Sequence, residues 1–287
     1  MNENEAVLLW VDEYTRRAEA YEERVVPRFR PFAERLMERA ALRPNATVLD
    51  VSTGTGLTAL LAARAVGGTG LVVGIDLADG ALAVAQTNAA RAGLRNLRFE
   101  MLDSRNIVYR SQTFDAVLSS FGLPSIGHRQ ALQEILRVLK EGATFHLVEW
   151  GPPDAAAGWD PFWEVLTAHR TPSPSPVLAQ LRQADDLVRT SGAYDAIRSP
   201  ESLAAKMREV GFSAVRVEPD EDTVPFATLD DLVAFRSAFG FAERELSEMP
   251  DGERAGFRRD LEDRFREFDH EGAIRLRWSV AYYAATR

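Results

Sequence analysis

Three acids, Asp50, Asp76 and Asp103, each follow a short apolar run, and the first two bracket the glycine turn Gly54-Thr55-Gly56. The stretch from 46 to 56, Ala-Thr-Val-Leu-Asp-Val-Ser-Thr-Gly-Thr-Gly, reads as a buried strand entering a turn. Gly54 and Gly56 permit positive φ and close backbone approach. The apolar spacing from Leu57 to Val66 predicts a helix whose first N–H groups face that turn. Such a crevice suits a nucleotide-like ligand, and Asp50 narrows the choice. A pyrophosphate held there would meet a fixed negative charge, whereas an ammonium or sulfonium would gain from it.

Asp76 closes the strand Leu-Val-Val-Gly-Ile-Asp (71 to 76), 20 residues beyond Gly56. A carboxylate at that strand end, with Leu77 beside it, can accept both hydroxyls of a ribose. Asp103-Ser104 follows a short strand at 97 to 101 and is placed for an adenine amino group. The run 113 to 120 reads as a fourth strand, with Ser119 and Phe121 near its end. Gly54, Gly56 and Ala59 also satisfy the relaxed dinucleotide fingerprint. An NAD oxidoreductase is therefore an alternative, and Asp50 opposes it.

The elements that must carry these residues alternate. Strands are predicted near 46–51, 71–76, 97–101, 114–119 and 143–149, with helices near 55–66, 79–92 and 128–140. This is the pattern of an α/β, doubly wound parallel sheet with its ligand at the strands' C-terminal edge. A helix at 202–210 with a strand at 213–218, and a last strand at 276–284, complete a Rossmann-like seven-stranded sheet. The last strand is expected antiparallel, at or near the edge.

Four motifs carry a resemblance: Val-Leu-Asp-Val-Ser-Thr-Gly-Thr-Gly (48 to 56), Val-Gly-Ile-Asp (73 to 76), Phe-Asp-Ala-Val-Leu-Ser-Ser-Phe-Gly-Leu (114 to 123) and Arg-Val-Leu-Lys-Glu-Gly-Ala-Thr-Phe-His-Leu-Val-Glu-Trp (137 to 150). By these the chain resembles the class I S-adenosylmethionine-dependent methyltransferases, and within them the small-molecule branch that includes the menaquinone and ubiquinone C-methyltransferases. The resemblance covers about half the chain. It implies S-adenosylmethionine as cofactor, with Asp50, Ser52 and the Gly54–Gly56 backbone at its methionine end. Asp76 with Leu77 would meet the ribose and Asp103 with Ser104 the adenine, while Ser119 and Phe121 would line the methyl-donor side. Ser52 stands where the family usually has Gly or Ala, and Glu141-Gly142-Ala143 where it has Pro-Gly-Gly. Some proteins resembling this family hold the cofactor without transferring its methyl and catalyse a cyclisation or rearrangement, which is the second reading.

The remaining segments divide as an N-terminal helical cap at 1–43, broken at Pro27 and Pro31, and two helical insertions at 151–199 and 225–272. The core is then 44–150 with 200–224 and 273–287. The first insertion leaves the sheet beside the crevice, where a substrate lid belongs. Trp150, Trp159, Phe162, Trp163 and Tyr194 fall there and suit an apolar or aromatic acceptor. The same rings also suit the insertion's own core. Methyl transfer needs alignment and exclusion of water more than a dedicated base. His169, in the lid, and Glu149, near the end of the fifth strand, are the candidates for removing an acceptor proton.

Composition excludes several classes. A formal net charge of −9 argues against a general nucleic-acid binder. With no cysteine there are no disulfides, thiol nucleophiles or cysteine metal ligands, and no histidine pair has metal-ligand spacing. The acidic first residues and the lack of an 18-residue apolar stretch lead us to expect a cytoplasmic protein with no membrane partner. The expected partner is a small-molecule acceptor, and the cap or second insertion could carry a homodimer contact.

Overall fold

A computed structural model of the protein describes residues 1–152, 159–192 and 197–287, with 159 and 160 as backbone alone. Five parallel strands form its centre: β1 (Thr47–Val51), β2 (Leu71–Asp76), β3 (Leu97–Met101), β4 (Phe114–Ser120) and β5 (Leu139–Trp150). Three more follow: β6 (Ser213–Phe226), β7 (Asp269–His270) and β8 (Ala273–Thr286). The sheet order is β3-β2-β1-β4-β5-β8-β6, with the two-residue β7 paired to β8. β8 runs antiparallel to both neighbours.

Strand residues alternate between two buried layers, which is why β1 and β2 read as continuous apolar runs. Val48, Val72 and Leu118 pack under helix α4 (Leu57–Val66). Helices α3 (Val26–Ala40) and α5 (Asp79–Arg91) share that face. Leu49, Val73 and Val117 face the other way, against α6 (His128–Val138) and α9 (Pro200–Val210). The fully buried side chains of α6 and α9, among them Leu132, Ile135, Leu203 and Met207, follow helical spacing. Ser199 caps α9 by accepting from the N–H of Ser202, and Gly211 (φ 113°) ends it.

Helices α1 (Glu3–Arg16) and α2 (Ala18–Arg24) precede α3. The first insertion contributes α7 (Trp159–Ala168) and α8 (Pro176–Thr190). The second contributes α10 (Leu229–Ser237), α11 (Ala242–Ser247) and α12 (Asp251–Phe265). A core of rings joins them to the ends of β6 and β8, with Phe29, Phe162, Phe226, Phe235, Phe265 and Trp278 all buried. Among the described residues no helix is long and apolar enough to cross a membrane.

Four details differ from the sequence reading. The N-terminal helices break at Arg17 and Val25, and Pro31 lies inside α3. Pro27 sits in the first turn of α3, where no N–H is needed. Glu141-Gly142-Ala143, ahead of the strand expected at 143–149, is an irregularity within a longer β5: pairing with β4 slips between Phe114↔Leu139 and Ala116↔Thr144, and Gly142 adopts φ 72°. β6 continues through Pro219 and Pro225 to Phe226, tolerating both prolines because it is the outer strand. β8 sits one place inside it, antiparallel and near the edge as expected.

Candidate active site

A cavity of about 740 Å³ opens over the C-terminal ends of β1, β2 and β4, in the upper half of the roughly 300–1,000 Å³ range of small-molecule sites. On the sheet side its wall includes Ser52, Gly54, Thr55, Asp76, Leu77, Asp103, Ser104 and Phe121. These eight residues were singled out from the sequence, and they meet because parallel strands deliver their C-terminal turns to one edge.

The turn after β1 is built on left-handed residues. Ser52 (φ 54°), Gly54 (φ 53°) and Gly56 (φ 89°) all have positive φ. A side chain at Gly56 would press on Leu60 at 2.8 Å, with Ala85 and Phe99 each 3.0 Å away. Gly56 is thus required by close packing between α4 and α5. Gly54 has nothing within 4 Å of an added Cβ and keeps the cavity wall low. Gly122, after β4, would strike Ser52 Cβ at 2.6 Å, so the two turns touch at the wall.

Asp50 is buried beneath this wall and does not line the cavity. Its Oδ2 accepts from the Thr53 hydroxyl at 2.6 Å. Burial pushes its carboxyl up to about 7, opposed by the Thr53 hydroxyl and the Ala59 N–H. Asp50 therefore shapes the loop, and the acids facing the cavity from the sheet side are Asp76 and Asp103. Gly56 and Ser119 are likewise behind the wall, Ser119 Oγ donating to Val51 O at 3.1 Å.

Asp76 accepts from the N–H of Gly54 and of Ala78, each at 2.9 Å. A carboxylate has about four lone-pair sites, so acceptor capacity remains for a ligand hydroxyl. Burial raises its pKa, against these backbone donors. Asp103 is gripped by Arg105 through its backbone N–H at 2.8 Å and its guanidinium Nη2 at 2.7 Å. Burial pushes the Asp103 carboxyl up, but the Arg105 hydrogen bonds outweigh it and hold it below its ordinary value. Arg105 also lines the cavity and was not anticipated.

The opposite wall is made of rings. Phe121 lies 4.8 Å from Trp150 and 4.7 Å from Phe29, centroid to centroid. Phe29 stacks on Phe239 at 6.2 Å, and Phe239 on Tyr21 at 6.4 Å. A second row runs from Trp163 to Phe241 to Trp10, at 5.1 and 5.5 Å. Trp150 and Trp163 therefore line the cavity as anticipated, whereas Phe162 is fully buried in the core beside Phe257. The Trp159 ring and Tyr194 lie outside the described residues.

Several wall residues escaped the sequence reading, which took Tyr14 and Tyr21 of the cap chiefly as packing residues that could also touch the cofactor. Val7, Trp10, Val11 and Tyr14 form a stripe along α1 that faces the cavity, and Ala18 and Tyr21 continue it on α2. The helical spacing was legible, but it reads equally as a packing face. Phe239 and Phe241 come from the link between α10 and α11, and Asp185, Arg189 and Arg198 add charge to the wall. Thr15 donates to Asp79 at 3.0 Å, and Arg105 reaches Asn4 at 3.3 Å. Those two bonds pin α1 over the cavity.

The two proton-acceptor candidates lie off the wall. His169 bridges Glu253 and Asp260 on α12, 2.8 Å from each, and is absent from the cavity lining. Both ring nitrogens face carboxylates, and the Glu253 and then the Asp260 hydrogen bonds raise its pKa. It cannot serve as the cavity's base. Glu149 is buried behind Trp150, whose N–H it accepts at 2.9 Å. Burial pushes its carboxyl up to about 7, with the Trp150 and Leu123 N–H groups and the Arg198 charge acting the other way. Among the described residues no cluster of His, Asp and Glu side chains could hold a metal ion.

A parallel sheet with this crevice, and with an antiparallel β8 set between β5 and β6, defines the class I methyltransferase fold. Residues 48–142, about a third of the chain, match the methyltransferase domain family model. That third of the chain is thus similar to methyltransferase domains, and the fold around it is the one they share. It is 34% identical over 119 residues to the ubiquinone/menaquinone biosynthesis C-methyltransferase of Ectopseudomonas mendocina, a match spanning 41% of this chain and 46% of that relative. The corresponding protein of Hydrogenovibrio crunogenus is 34% identical over 116 residues, 40% of this chain and 46% of its own length. The chain thus spans about half the length of the curated relatives it matches. Among solved structures, the YcgJ protein of Bacillus subtilis superposes with a TM-score of 0.58 at 20% identity, covering 89% of this chain and 97% of that one. The [4+2]-cyclase SpnF gives 0.51 at 21% identity, covering 90% and 80%.

Proposed function

We propose that the protein transfers a methyl group from S-adenosylmethionine to an oxygen or carbon of a small, largely apolar metabolite. One observation carries this reading: a single cavity has two acids and a glycine turn on one side and a wall of rings on the other. Asp76 would hold the ribose hydroxyls and Asp103 the adenine amino group, with Arg105 fixing the Asp103 carboxylate. Ser52 and the Gly54–Thr55 backbone would flank the amino-acid end. The cofactor fits this wall, because Gly54 leaves open space and Asp76 keeps acceptor capacity. When bound it supplies an electrophilic methyl group.

The chain's own contribution is alignment. The rings of Phe29, Phe121, Trp150 and Phe239 would hold a flat acceptor against the donor side and keep water away. No wall residue needs to act as a base if the acceptor atom is already nucleophilic. The covering helices α1 and α2, together with the two insertions, are read as cap and lid over this cavity.

Calorimetric titration with S-adenosylhomocysteine, with NAD in parallel, tests the reading. Micromolar binding of S-adenosylhomocysteine alone, about −8 kcal/mol, is expected; binding of NAD alone would replace the reading with an oxidoreductase. If S-adenosylmethionine binds and product forms while the cofactor is not consumed, the cyclisation or rearrangement alternative takes its place.

A further inference from the structure

The sheet has two outer strands, and they differ. β6 carries Pro219 and Pro225 and a run of acids, Glu218, Asp220, Glu221 and Asp222, all of which discourage a further strand. β3, at the other end, holds no proline. The C=O of Asn96 and the N–H of Leu102 bond to residues of the β2 side, so by alternation Arg98 and Glu100 turn their backbone groups inward as well. Those of Leu97, Phe99 and Met101 point outward, and among the described residues no strand pairs with them. Met101 is 64% exposed and Val108 69%. Val108 adjoins Tyr109, whose hydroxyl donates to Glu100 at 2.8 Å and accepts from Arg98 at 3.0 Å, so this apolar pair lies along the open edge.

We infer that β3 pairs antiparallel with β3 of a second copy of this chain, about a two-fold axis at Phe99. The outward groups all belong to odd positions, so Phe99 exchanges both backbone bonds with the partner's Phe99, and Leu97 with the partner's Met101. Arg98 then stands opposite the partner's Glu100 in a non-hydrogen-bonded pair, where side chains come closest. Within one copy Arg98 and Glu100 already lie 3.2 Å apart, so pairing shares their charges between copies and leaves neither alone. Sliding by two residues sets Arg98 against the partner's Arg98, or Glu100 against the partner's Glu100. An in-register parallel pairing likewise puts like charges side by side. The charges thus admit one register, and a two-fold contact closes on itself as a dimer. A contact built on one short strand is small, so the dimer depends on concentration.

Sedimentation equilibrium of the full chain tests this. Wild type should pass from monomer to twice that mass as its concentration rises from about 1 to about 100 µM. Arg98→Glu sets acids opposite acids and should weaken the dimer at least about tenfold, while adding Glu100→Arg to it should restore the pairing. Met101→Pro removes one outward N–H and no bond to β2, and should weaken the dimer as well. Circular dichroism matching that of wild type shows that these changes leave the sheet folded. A wild type that stays monomeric at the highest concentration overturns the inference. A dimer indifferent to Arg98→Glu overturns it too, by placing the contact elsewhere, and so does a double variant that pairs no better than Arg98→Glu alone.

Discussion

The backbone N–H of Gly54 donates to Asp76 Oδ2 at 2.9 Å, while Asp76 Oδ1 takes the N–H of Ala78 at the same distance. One carboxylate therefore ties the turn after β1 to the turn after β2 and faces the cavity between them. Asp76→Ala should weaken S-adenosylhomocysteine binding by roughly 10- to 100-fold, as expected when hydrogen bonds to a charged group are lost. Asp76→Asn, which keeps one acceptor, should lose less. Wild-type affinity in the alanine variant would remove Asp76 from the site.

Helix α1 is fastened by a buried acid. Glu13 is 2% exposed and pairs with Arg16 at 3.0 Å and Arg17 at 3.4 Å on its own side, and with Arg244 on α11. Burial works against the Glu13 charge, but these arginines hold its pKa below the ordinary value. Glu13→Ala leaves Arg17 and Arg244 uncompensated and should cost about 2 to 3 kcal/mol in urea unfolding. Amide exchange should rise in α1 before it rises in β1. Uniform exchange across both would show that α1 is not separately held.

His169 should prove to be a clamp between α7 and α12. Its pKa is raised above 6.5 by Glu253 and Asp260, so its stabilisation is fully present below that pH and fades as the pH climbs through the folded value. Both partners are about half exposed, so the contribution is screened and should stay under about 1 kcal/mol. His169→Gln should lower the unfolding midpoint at pH 6, match wild type at high pH, and leave turnover intact. Lost turnover in a stable variant would return His169 to the chemistry.

Stability should also decline from about pH 4 to about 7 because of two buried acids. Burial raises the carboxyls of Asp50 and Glu149 to about 7, from 3.8 and 4.5. Through that window the folded chain keeps protons that the unfolded chain releases, so unfolding becomes easier as the pH rises. Asp50→Asn should flatten the profile of unfolding midpoint against pH between 5 and 7. Parallel profiles for variant and wild type would mean that Asp50 titrates normally.

The sheet was legible because buried parallel strands advertise themselves as short apolar runs, and the acids at their ends fall where topology must bring them. Ser52, Asp76 and Asp103 could be read in this way. Asp50 could not be placed from sequence, because only the fold reveals that Thr53 captures its carboxylate. His169 was misleading for a related reason: its carboxylate partners lie 84 and 91 residues away, on α12. The α1 stripe was visible as a period, yet periodicity does not say whether a face meets a core or a cavity.

The cavity is assembled from two kinds of sequence. The acids and turns on the sheet side, from Ser52 to Ile126, come from one unbroken run of chain that also supplies Phe121, whereas the rest of the ring wall is gathered from α1, α2, α3, α7, the end of β5 and the link at 239–241. Drift in those scattered pieces can therefore reshape what the pocket accepts while the contiguous run stays as it is.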